Sequence, residues 1–373
     1  MTPALAVISE LRKRGYDNFV WVGHKHNQFG SSTESPEYRL VSEQGIKFID
    51  LPAGKLTRNW GSEFKAGVIN LLKVPYGFVK GFWVVLRERP ALVMSFGGYI
   101  ALPVAIAARL TGRRVITHEQ TAVTGLTNKV LPYFANKVLI SWPSSAKYYP
   151  KQKTVLTGNP IRPEILQPNS HSFHFDNDLP VLFVTGGNQG SHKINQAVFA
   201  SLEKLLEICN VIHQTGNSSV TRDWEEARSR KTSLPKDLQG RYIPRDFIGT
   251  GEFGEVFARA DLIVARSGAN TTYEILALGK RAIFIPIPWV THNEQFMNAQ
   301  IAADTGLAVI LPENELSAAS LYDKIRQGLY LHKEGHDYKG LEFASAVATA
   351  RKLVIPDAAV QIADQIELLI RKR

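Results

Sequence analysis

Residues 180–191 read Pro180-Val-Leu-Phe-Val-Thr-Gly186-Gly187-Asn188-Gln189-Gly190-Ser191, and no other stretch says more about the fold. The apolar run predicts a buried strand, the glycines predict a tight turn, and the amphipathic residues 194–206 predict a helix. Glycine lets the backbone approach a ligand closely, and free N–H groups at a helix start attract phosphate. The spacing matches neither GxGxxG nor the Walker lysine pattern, so a tight turn without a ligand stays open.

The same alternation of short apolar runs with amphipathic stretches continues along the chain, which is typical of βα units in parallel sheets. The strand candidates are residues 19–23, 46–51, 92–95, 115–118, 137–140, 181–185, 211–214, 261–265, 282–285 and 307–310. The polar stretch 167–178 has neither period, so we place a domain boundary after residue 160. The sequence therefore predicts an α/β chain with two doubly wound sheets, followed by a last amphipathic helix over 358–370.

Composition supports two folded domains and leaves the partner open. The 373 residues are 44% hydrophobic and 21% charged, which excludes a disordered chain. The single cysteine, Cys209, permits no internal disulfide and favours a reducing cytosol. Residues 1–160 hold 21 Lys+Arg against 9 Asp+Glu, whereas 161–373 hold 23 against 25. A basic first half suits an anionic membrane, an acidic substrate or nucleic acid; without a recognised nucleic-acid motif, we expect no nucleic-acid partner.

Two further strand ends in the second half carry side chains that suit a nucleotide sugar. Residues 266–274, Arg-Ser-Gly-Ala-Asn-Thr-Thr-Tyr-Glu, put small residues at a helix start and a carboxylate, Glu274, one turn later. That carboxylate can accept two hydrogen bonds from a ribose diol. The amides near Gln295 suit sugar hydroxyls. A solvated helix glutamate and a helix cap at Asn293 are the alternatives, but three such loops at one sheet edge favour a nucleotide diphosphate.

The first half repeats the strand–glycine–helix arrangement at Ser95-Phe-Gly97-Gly98-Tyr99. A second strand ends in His118-Glu119, a pair that could transfer a proton or hold a sugar, although a structural histidine stays open. Between residues 55 and 89, large apolar side chains are interleaved with lysines and arginines. This pattern suits the surface of an anionic membrane as well as an ordinary core helix.

Two possible metal motifs do not hold up. Asp176-Asn177-Asp178 resembles a metal-chelating DxD, but it precedes a strand instead of following one. His24-Lys25-His26 lacks the further ligands that zinc needs. We therefore expect no metal and no cofactor.

Taken together and in order, these motifs resemble the MurG family of UDP-N-acetylglucosamine transferases, which complete lipid II in peptidoglycan synthesis. The residues that carry the resemblance are Thr2-Pro-Ala-Leu-Ala6, Phe96-Gly-Gly-Tyr99, His118-Glu-Gln120, Gly125-Leu-Thr-Asn-Lys129, Gly158-Asn-Pro-Ile-Arg162, Gly186-Gly-Asn-Gln-Gly190, Arg266-Ser-Gly-Ala269 with Glu274, and Glu294-Gln295 with Asn298. They span nearly the whole chain. No single motif is decisive, but the ordered set is highly specific.

The resemblance implies a GT-B fold of family 28, with two Rossmann-like domains facing a cleft and the last helix returning to the first domain. Residues 1–160 would form the acceptor and membrane-docking domain, 161–352 the domain that binds UDP-GlcNAc, and 353–373 the returning helix. The reaction implied is an inverting, metal-independent transfer of GlcNAc to the C4 hydroxyl of MurNAc-pentapeptide on undecaprenyl diphosphate. The enzyme would be peripheral on the cytoplasmic face of the bacterial inner membrane.

The resemblance also implies a set of site residues. UDP-GlcNAc would contact Asn128, Arg162, Gly187, Asn188, Gln189, Gly190, Ile248, Ala269, Asn270, Thr271, Glu274 and Gln295. The lipid acceptor would lie beside Gly97, Gly98, Tyr99, His118 and Glu119. Asn188 stands where the family has a serine, so we expect altered contacts there without loss of binding.

The start of the chain departs from the family pattern. Met1 falls after the family's first strand and its glycine-rich loop, which carries the histidine thought to be the catalytic base. We therefore expect the natural protein to begin upstream, and His118 and Glu119 are weaker candidates for a base within this sequence. The rival interpretations are another GT-B enzyme of UDP-GlcNAc, such as a 2-epimerase or a soluble-acceptor transferase, and an inactive UDP-sugar-binding scaffold.

Overall fold

The computed structural model describes residues 2–26, 34–54, 64–166, 170–290 and 293–371. Contacts divide the chain into two units, Met1–Pro160 with Asp357–Arg373, and Ile161–Pro356. The second boundary lies a few residues beyond the expected residue 352. The reason is that the helix over Phe343–Leu353 packs on the helices over Ala269–Leu278 and Glu294–Thr305, which belong to the second unit.

The first unit contains helices and parallel strands in alternation. In chain order these are α1 (Thr2–Lys13), β1 (Val20–Gly23), α2 (Pro36–Glu43), β2 (Lys47–Asp50), α3 (Phe64–Glu88), β3 (Leu92–Ser95), α4 (Ala101–Leu110), β4 (Arg114–Glu119), α5 (Leu126–Phe134), β5 (Lys137–Ile140), a 3₁₀ helix (Pro143–Tyr148) and β6 (Thr154–Leu156). Within the described residues, the strands form two sheets, β1-β2 and β3-β4-β5-β6, instead of the single sheet predicted. The sequence analysis missed β6 because it is a three-residue edge strand that is not fully buried.

The second unit is built on one parallel sheet. Its elements are α6 (Pro163–Leu166), β7 (Val181–Thr185), α7 (His192–Ile208), β8 (Asn210–Gln214), α8 (Asp223–Ser233), α9 (Lys236–Gln239), β9 (Tyr242–Arg245), α10 (Thr250–Arg259), β10 (Leu262–Ala265), α11 (Ala269–Leu278), β11 (Ala282–Phe284), α12 (Glu294–Thr305), β12 (Ala308–Ile310), α13 (Ala318–Lys333) and α14 (Phe343–Leu353). β9 was missed because it contains a proline and ends in an arginine, which weakens the strand pattern.

The order of strands in this sheet fixes where a ligand is expected. The order is β12-β11-β10-β7-β8-β9: the chain adds β8 and β9 on one side of β7 and then adds β10, β11 and β12 on the other side. The strand order therefore reverses between β7 and β10. Ligands of open α/β sheets bind outside the carboxyl ends of the strands at such a reversal. The loops after β7 and β10 flank this point.

The last helix, α15 (Ala358–Arg371), belongs to the first unit. Its Ile362 and Ile366 pack with Val7 of α1 against Ile116 and Leu139 of the sheet. The other face of the same sheet packs on α3 and α4 in a separate apolar cluster. Both faces of β4 and β5 are therefore covered. Because successive strand residues point to opposite faces, every position in these strands favours an apolar residue, which explains their apolar sequences.

Candidate functional site

The glycine loop after β7 is held tightly against the end of β8. Gly190 has a φ of +75°, and a Cβ on it would lie 1.8 Å from the carbonyl oxygen of Thr215, so only glycine fits. The carbonyl of Gly187 accepts a hydrogen bond of 2.9 Å from the side-chain amide of Gln214. Asn188 and Gln189 are exposed at the tip of the loop. The loop therefore places two amide side chains and the first turn of α7 at the carboxyl edge of the sheet.

A buried charge cluster fixes the start of α7. Ser191, the N-cap residue, makes no side-chain cap; its hydroxyl accepts a hydrogen bond of 2.7 Å from Arg266. The guanidinium of Arg266 also donates to the carboxylate of Glu313, and to the carbonyl of Ile285 at 2.9 Å. The ammonium of Lys193 lies 2.6 Å from the other oxygen of Glu313. The cluster thus ties together the loops that follow β7, β10, β11 and β12.

The charge balance of this cluster keeps Glu313 ionised. Burial alone would raise the pKa of this carboxyl group, but the hydrogen bonds and charges of Lys193 and Arg266 outweigh burial and hold the pKa below its ordinary value. From the sequence, Arg266 was recognisable only as part of a motif, and Lys193 and Glu313 were not predicted as site residues. A carboxylate three residues after the end of β12 was the signal that could have identified Glu313.

Arg162 and Glu274, predicted as separate ligand contacts, are joined in the structure. The Nε and Nη2 atoms of Arg162 donate to the two carboxylate oxygens of Glu274, both at 2.9 Å. The guanidinium also lies over the ring of Phe253, with its carbon 3.8 Å from the ring centroid. The Glu274 side chain is 2% exposed and that of Arg162 is 17% exposed. The Glu274 carboxylate on α11 is therefore buried in a bidentate ion pair with Arg162.

The remaining second-unit residues expected to contact the nucleotide sugar follow the carboxyl ends of strands of the same sheet. Ala269, Asn270 and Thr271 form the first turn of α11, whose N-cap is Gly268. Ile248 is fully buried in the segment after β9. The side-chain oxygen of Gln295 accepts a hydrogen bond of 3.1 Å from the backbone N–H of Ile287, which orients that amide.

In the first unit, Glu119 at the end of β4 is surrounded by hydrogen-bond donors. One carboxylate oxygen accepts from the N–H of Thr121 at 3.1 Å and from its hydroxyl at 2.8 Å. The other accepts from Asn128 Nδ2 and from the Tyr149 hydroxyl, both at 2.8 Å. Burial, with the charge of Glu119, raises the pKa of Tyr149. These four hydrogen bonds, donated by side chains and backbone from three different segments, suit a carboxylate that organises its surroundings.

His118 is fully buried beside Glu119. Its Nε2 lies 2.9 Å from the carbonyl oxygen of Gly158, and its ring lies 5.6 Å from that of Phe96. Its Nδ1 is buried and has no hydrogen-bond partner among the described residues. Burial lowers the pKa of His118 to about 4, so the imidazole is neutral at pH 7. A neutral ring that donates from Nε2 leaves the lone pair on Nδ1.

The predicted acceptor loop lies at the same strand edge. Gly97 and Gly98 have φ of +85° and +82°, and a Cβ on Gly97 would lie 3.1 Å from Asn128 Nδ2. Tyr99 is hydrogen-bonded through its hydroxyl to His24 at the end of β1. Asn128, expected among the contacts to the nucleotide sugar, therefore lies between Glu119 and Gly97, within the first unit. His24, for which the sequence offers no further zinc ligands, is a partly buried partner of Tyr99.

The remaining sequence candidates carry less information. Asp176 is exposed and pairs with His174, while Asn177 bonds to Asn210. No cluster of three or more potential metal ligands is found among the described residues. Of the basic, apolar segment 55–89, residues 55–63 lie outside the described residues. No helix in the described part of the chain is long and apolar enough to cross a membrane.

Comparison with known proteins agrees with this architecture. Residues 1–140 match the glycosyltransferase family 28 N-terminal domain, and residues 181–348 match the glycosyltransferase family 28 C-terminal domain. Relatives from Clostridium botulinum and Clostridium kluyveri are 31% and 30% identical, over 91% and 95% of this chain and 89% and 94% of theirs. Both are named UDP-N-acetylglucosamine--N-acetylmuramyl-(pentapeptide) pyrophosphoryl-undecaprenol N-acetylglucosamine transferase.

A solved structure is similar over the whole chain. The crystal structure of Acinetobacter baumannii MurG has a TM-score of 0.67 and 25% sequence identity, covering 98% of this chain and 95% of that one. Two parallel α/β units with glycine loops at their strand ends, taken with this match, identify the fold as GT-B, the fold of this class of glycosyltransferases. The chain belongs to glycosyltransferase family 28, in its MurG branch.

Proposed function

We propose that this protein transfers N-acetylglucosamine from UDP-GlcNAc to MurNAc-pentapeptide carried on undecaprenyl diphosphate, in peptidoglycan synthesis. The observation that carries the proposal is the 31% identity over 91% of the chain to a transferase of that name. The transfer inverts the anomeric carbon, and the attacking group is the C4 hydroxyl of MurNAc. No metal and no cofactor take part in this proposal.

The second unit would bind UDP-GlcNAc at the reversal between β7 and β10. UDP leaves with growing negative charge, and helix starts stabilise such charge. The starts of α7 and α11 flank the reversal, and the buried Arg266 braces the first of them. Glu274 would accept hydrogen bonds from the ribose, and Gln295 would contact the sugar. Fixed dipoles of this kind need no cation to hold the leaving group.

The first unit would hold the lipid acceptor near Gly97, Gly98 and Tyr99. Since Thr121, Asn128 and Tyr149 all donate to the Glu119 carboxylate, we propose that it positions Asn128 and the nearby loops. His118 has a buried Nδ1 lone pair and remains the better candidate of the two for a proton acceptor. A His118→Ala/Glu119→Ala double variant with native turnover would exclude a base role for either.

The same unit would dock on the cytoplasmic face of the membrane through α3. Several large apolar side chains of this helix are exposed, namely Tyr76, Val79, Phe82, Trp83 and Leu86. Lys80 lies over the Tyr76 ring, and Arg87 lies over the Trp83 ring. Apolar groups beside cations are suited to an interface with anionic lipid.

The decisive experiment measures transfer of radiolabelled GlcNAc from UDP-GlcNAc to the lipid-linked MurNAc-pentapeptide, with and without that acceptor. We expect labelled lipid product and UDP release only when the acceptor is present. Conversion of UDP-GlcNAc to a 2-epimer without acceptor would assign the chain to an epimerase, and tight binding without turnover would make it a scaffold. Arg230→Gln is the matched control variant, because Arg230 pairs with Glu226 on α8 and has no proposed part in the site.

A further inference from the structure

Arg162 is held by three constraints that fix the direction of its guanidinium. Pro163 follows it and restricts its backbone to extended conformations. Phe253 covers one face of the guanidinium, and that ring contacts Phe183 of β7 and Phe257 of α10. Both nitrogens on one edge donate to Glu274. A planar fork locked in this way is a support for the carboxylate it faces.

Glu274 depends on that support. Its carboxylate is 2% exposed, and Arg162 supplies both hydrogen bonds that the described residues give it. A buried carboxylate without a paired cation is strongly destabilised, so the arginine compensates its buried charge and fixes its plane. An ionised carboxylate has about four lone-pair sites, of which the two bonds to Arg162 use two. The others remain for hydroxyl donors.

We propose that Arg162 is a positioning residue for ribose recognition: it acts through Glu274 and does not bind the diphosphate of the nucleotide. The inference rests on the proposed function, because it assigns part of the same nucleotide site. It also revises the role implied by the family resemblance, in which Arg162 itself contacts UDP-GlcNAc. The competing arrangement has Arg162 release Glu274 and bind the phosphates directly.

A panel of nucleotides separates the two arrangements. Calorimetry would measure the dissociation constants of UDP, UMP and 2′,3′-dideoxy-UDP for the native chain and for Arg162→Gln. Hydrogen bonds to a charged group contribute enough that the native chain should bind UDP about 10- to 100-fold more tightly than dideoxy-UDP. In Arg162→Gln we expect this ribose ratio to fall to about 3-fold or less, while the ratio of UDP to UMP stays unchanged. A reduced UDP-to-UMP ratio with an intact ribose ratio would overturn the proposal.

A double-variant cycle provides an independent check. If Arg162 acts through Glu274, replacing the arginine in a Glu274→Gln background should change UDP affinity by less than about 2-fold. Additive losses would mean that Arg162 has its own contact with the nucleotide. Arg162→Lys keeps the charge but loses the fork, so it should restore part of the ribose ratio; no restoration beyond Arg162→Gln would count against the proposal.

Controls keep these outcomes apart from a folding defect. Arg230 resembles Arg162, since it pairs with Glu226 and lies 5.1 Å from the Phe199 ring centroid, and Arg230→Gln should leave both nucleotide ratios unchanged. The thermal transition of each variant reports whether it is folded. If Arg162→Gln does not fold, the nucleotide ratios are compared instead between the native chain, Arg162→Lys and the neutral double variant Arg162→Gln/Glu274→Gln. A native chain that binds neither UDP nor UDP-GlcNAc contradicts the proposed function itself, whereas normal binding with the wrong ratios contradicts only the inference.

Discussion

Replacing Gly190 by alanine should disrupt the glycine loop far more than replacing its neighbour Gly187. Both glycines have positive φ, +75° and +87°, so alanine at either position adopts a left-handed conformation that costs about 1–2 kcal/mol. The two differ in their surroundings. A Cβ on Gly187 meets no atom within 4 Å, whereas a Cβ on Gly190 lies 1.8 Å from the Thr215 carbonyl oxygen.

The magnitude follows from what that oxygen can do. An ordinary carbon–oxygen contact is about 3.3 Å or longer, so the loop must move by about 1.5 Å. Thr215 cannot yield, because its N–H donates to Arg245 at 2.9 Å and its carbonyl accepts from Asn195 at 2.9 Å. Overpacking adds about 1–3 kcal/mol to the cost of the φ angle, which gives about 2–5 kcal/mol for Gly190→Ala against about 1–2 kcal/mol for Gly187→Ala.

Scanning calorimetry, supported by UDP binding, tests this difference. For a unit of this size, each kcal/mol lowers the melting temperature by about 2–4 °C, so Gly190→Ala should melt roughly 4–20 °C lower and Gly187→Ala roughly 2–8 °C lower. The transition that UDP raises identifies the second unit. We also expect Gly190→Ala to weaken UDP binding by about 10-fold or more, since the start of α7 moves with the loop. Equal melting shifts for the two variants would refute the close approach on which this reasoning depends.

Three further outcomes are expected. Burial holds the pKa of His118 near 4 instead of its ordinary 6.5, so the histidine is protonated in the unfolded chain at a higher pH than in the folded one. The free energy of unfolding should therefore fall by up to about 3 kcal/mol between pH 6.5 and 4. In urea denaturation over this pH range, His118→Gln should show a smaller fall, and an unchanged fall would contradict the pKa assigned to His118. Glu119→Gln puts an amide N–H₂ where a carboxylate oxygen now accepts hydrogen bonds, so two donors face each other. We expect the free energy of unfolding to fall by about 2–4 kcal/mol. An unchanged midpoint of urea denaturation would disprove this. The double variant Val79→Ser/Trp83→Ser should reduce cosedimentation with phosphatidylglycerol vesicles at least about 5-fold. The control Tyr330→Ser, which replaces an exposed tyrosine of the second unit, should leave cosedimentation unchanged. Equal cosedimentation of the two variants would exclude α3 as the docking face.

The sequence identified every strand of the described residues except β6 and β9, and burial explains the difference. β7 and β10 lie in the middle of a sheet covered on both faces, so their sequences are unbroken apolar runs. β6 and β9 lie at sheet edges, where exposed and polar positions are tolerated. The division of the first unit into two sheets could not be foreseen, because pairing between strands depends on tertiary contacts that no local pattern encodes.

The candidate site shows a similar limit. Loop chemistry suggested Glu274, and the family resemblance suggested Arg162. Their pairing joins residues on α11 and before α6, and no spacing rule connects them. The acid–base interpretation of Glu119 rested on its neighbour His118 in sequence. The structure instead surrounds this carboxylate with Thr121, Asn128 and Tyr149, because adjacent residues on a strand point to opposite faces and so meet different surroundings.

The two units use charge in physically different ways, and this difference explains the uneven composition of the chain. In the second unit, Arg266 and Glu313 are buried, each charge has a fixed partner, and their net effect is to hold loops in place. Such pairs are little screened by salt, so a site built on them is already organised before a diphosphate arrives. The first unit carries 21 Lys+Arg against 9 Asp+Glu within residues 1–160, and its cations on α3 lie beside exposed aromatic rings. Solvated charges of this kind act over about a Debye length. They suit attraction to an anionic surface, because such attraction depends on the range of the interaction more than on the exact position of each charge.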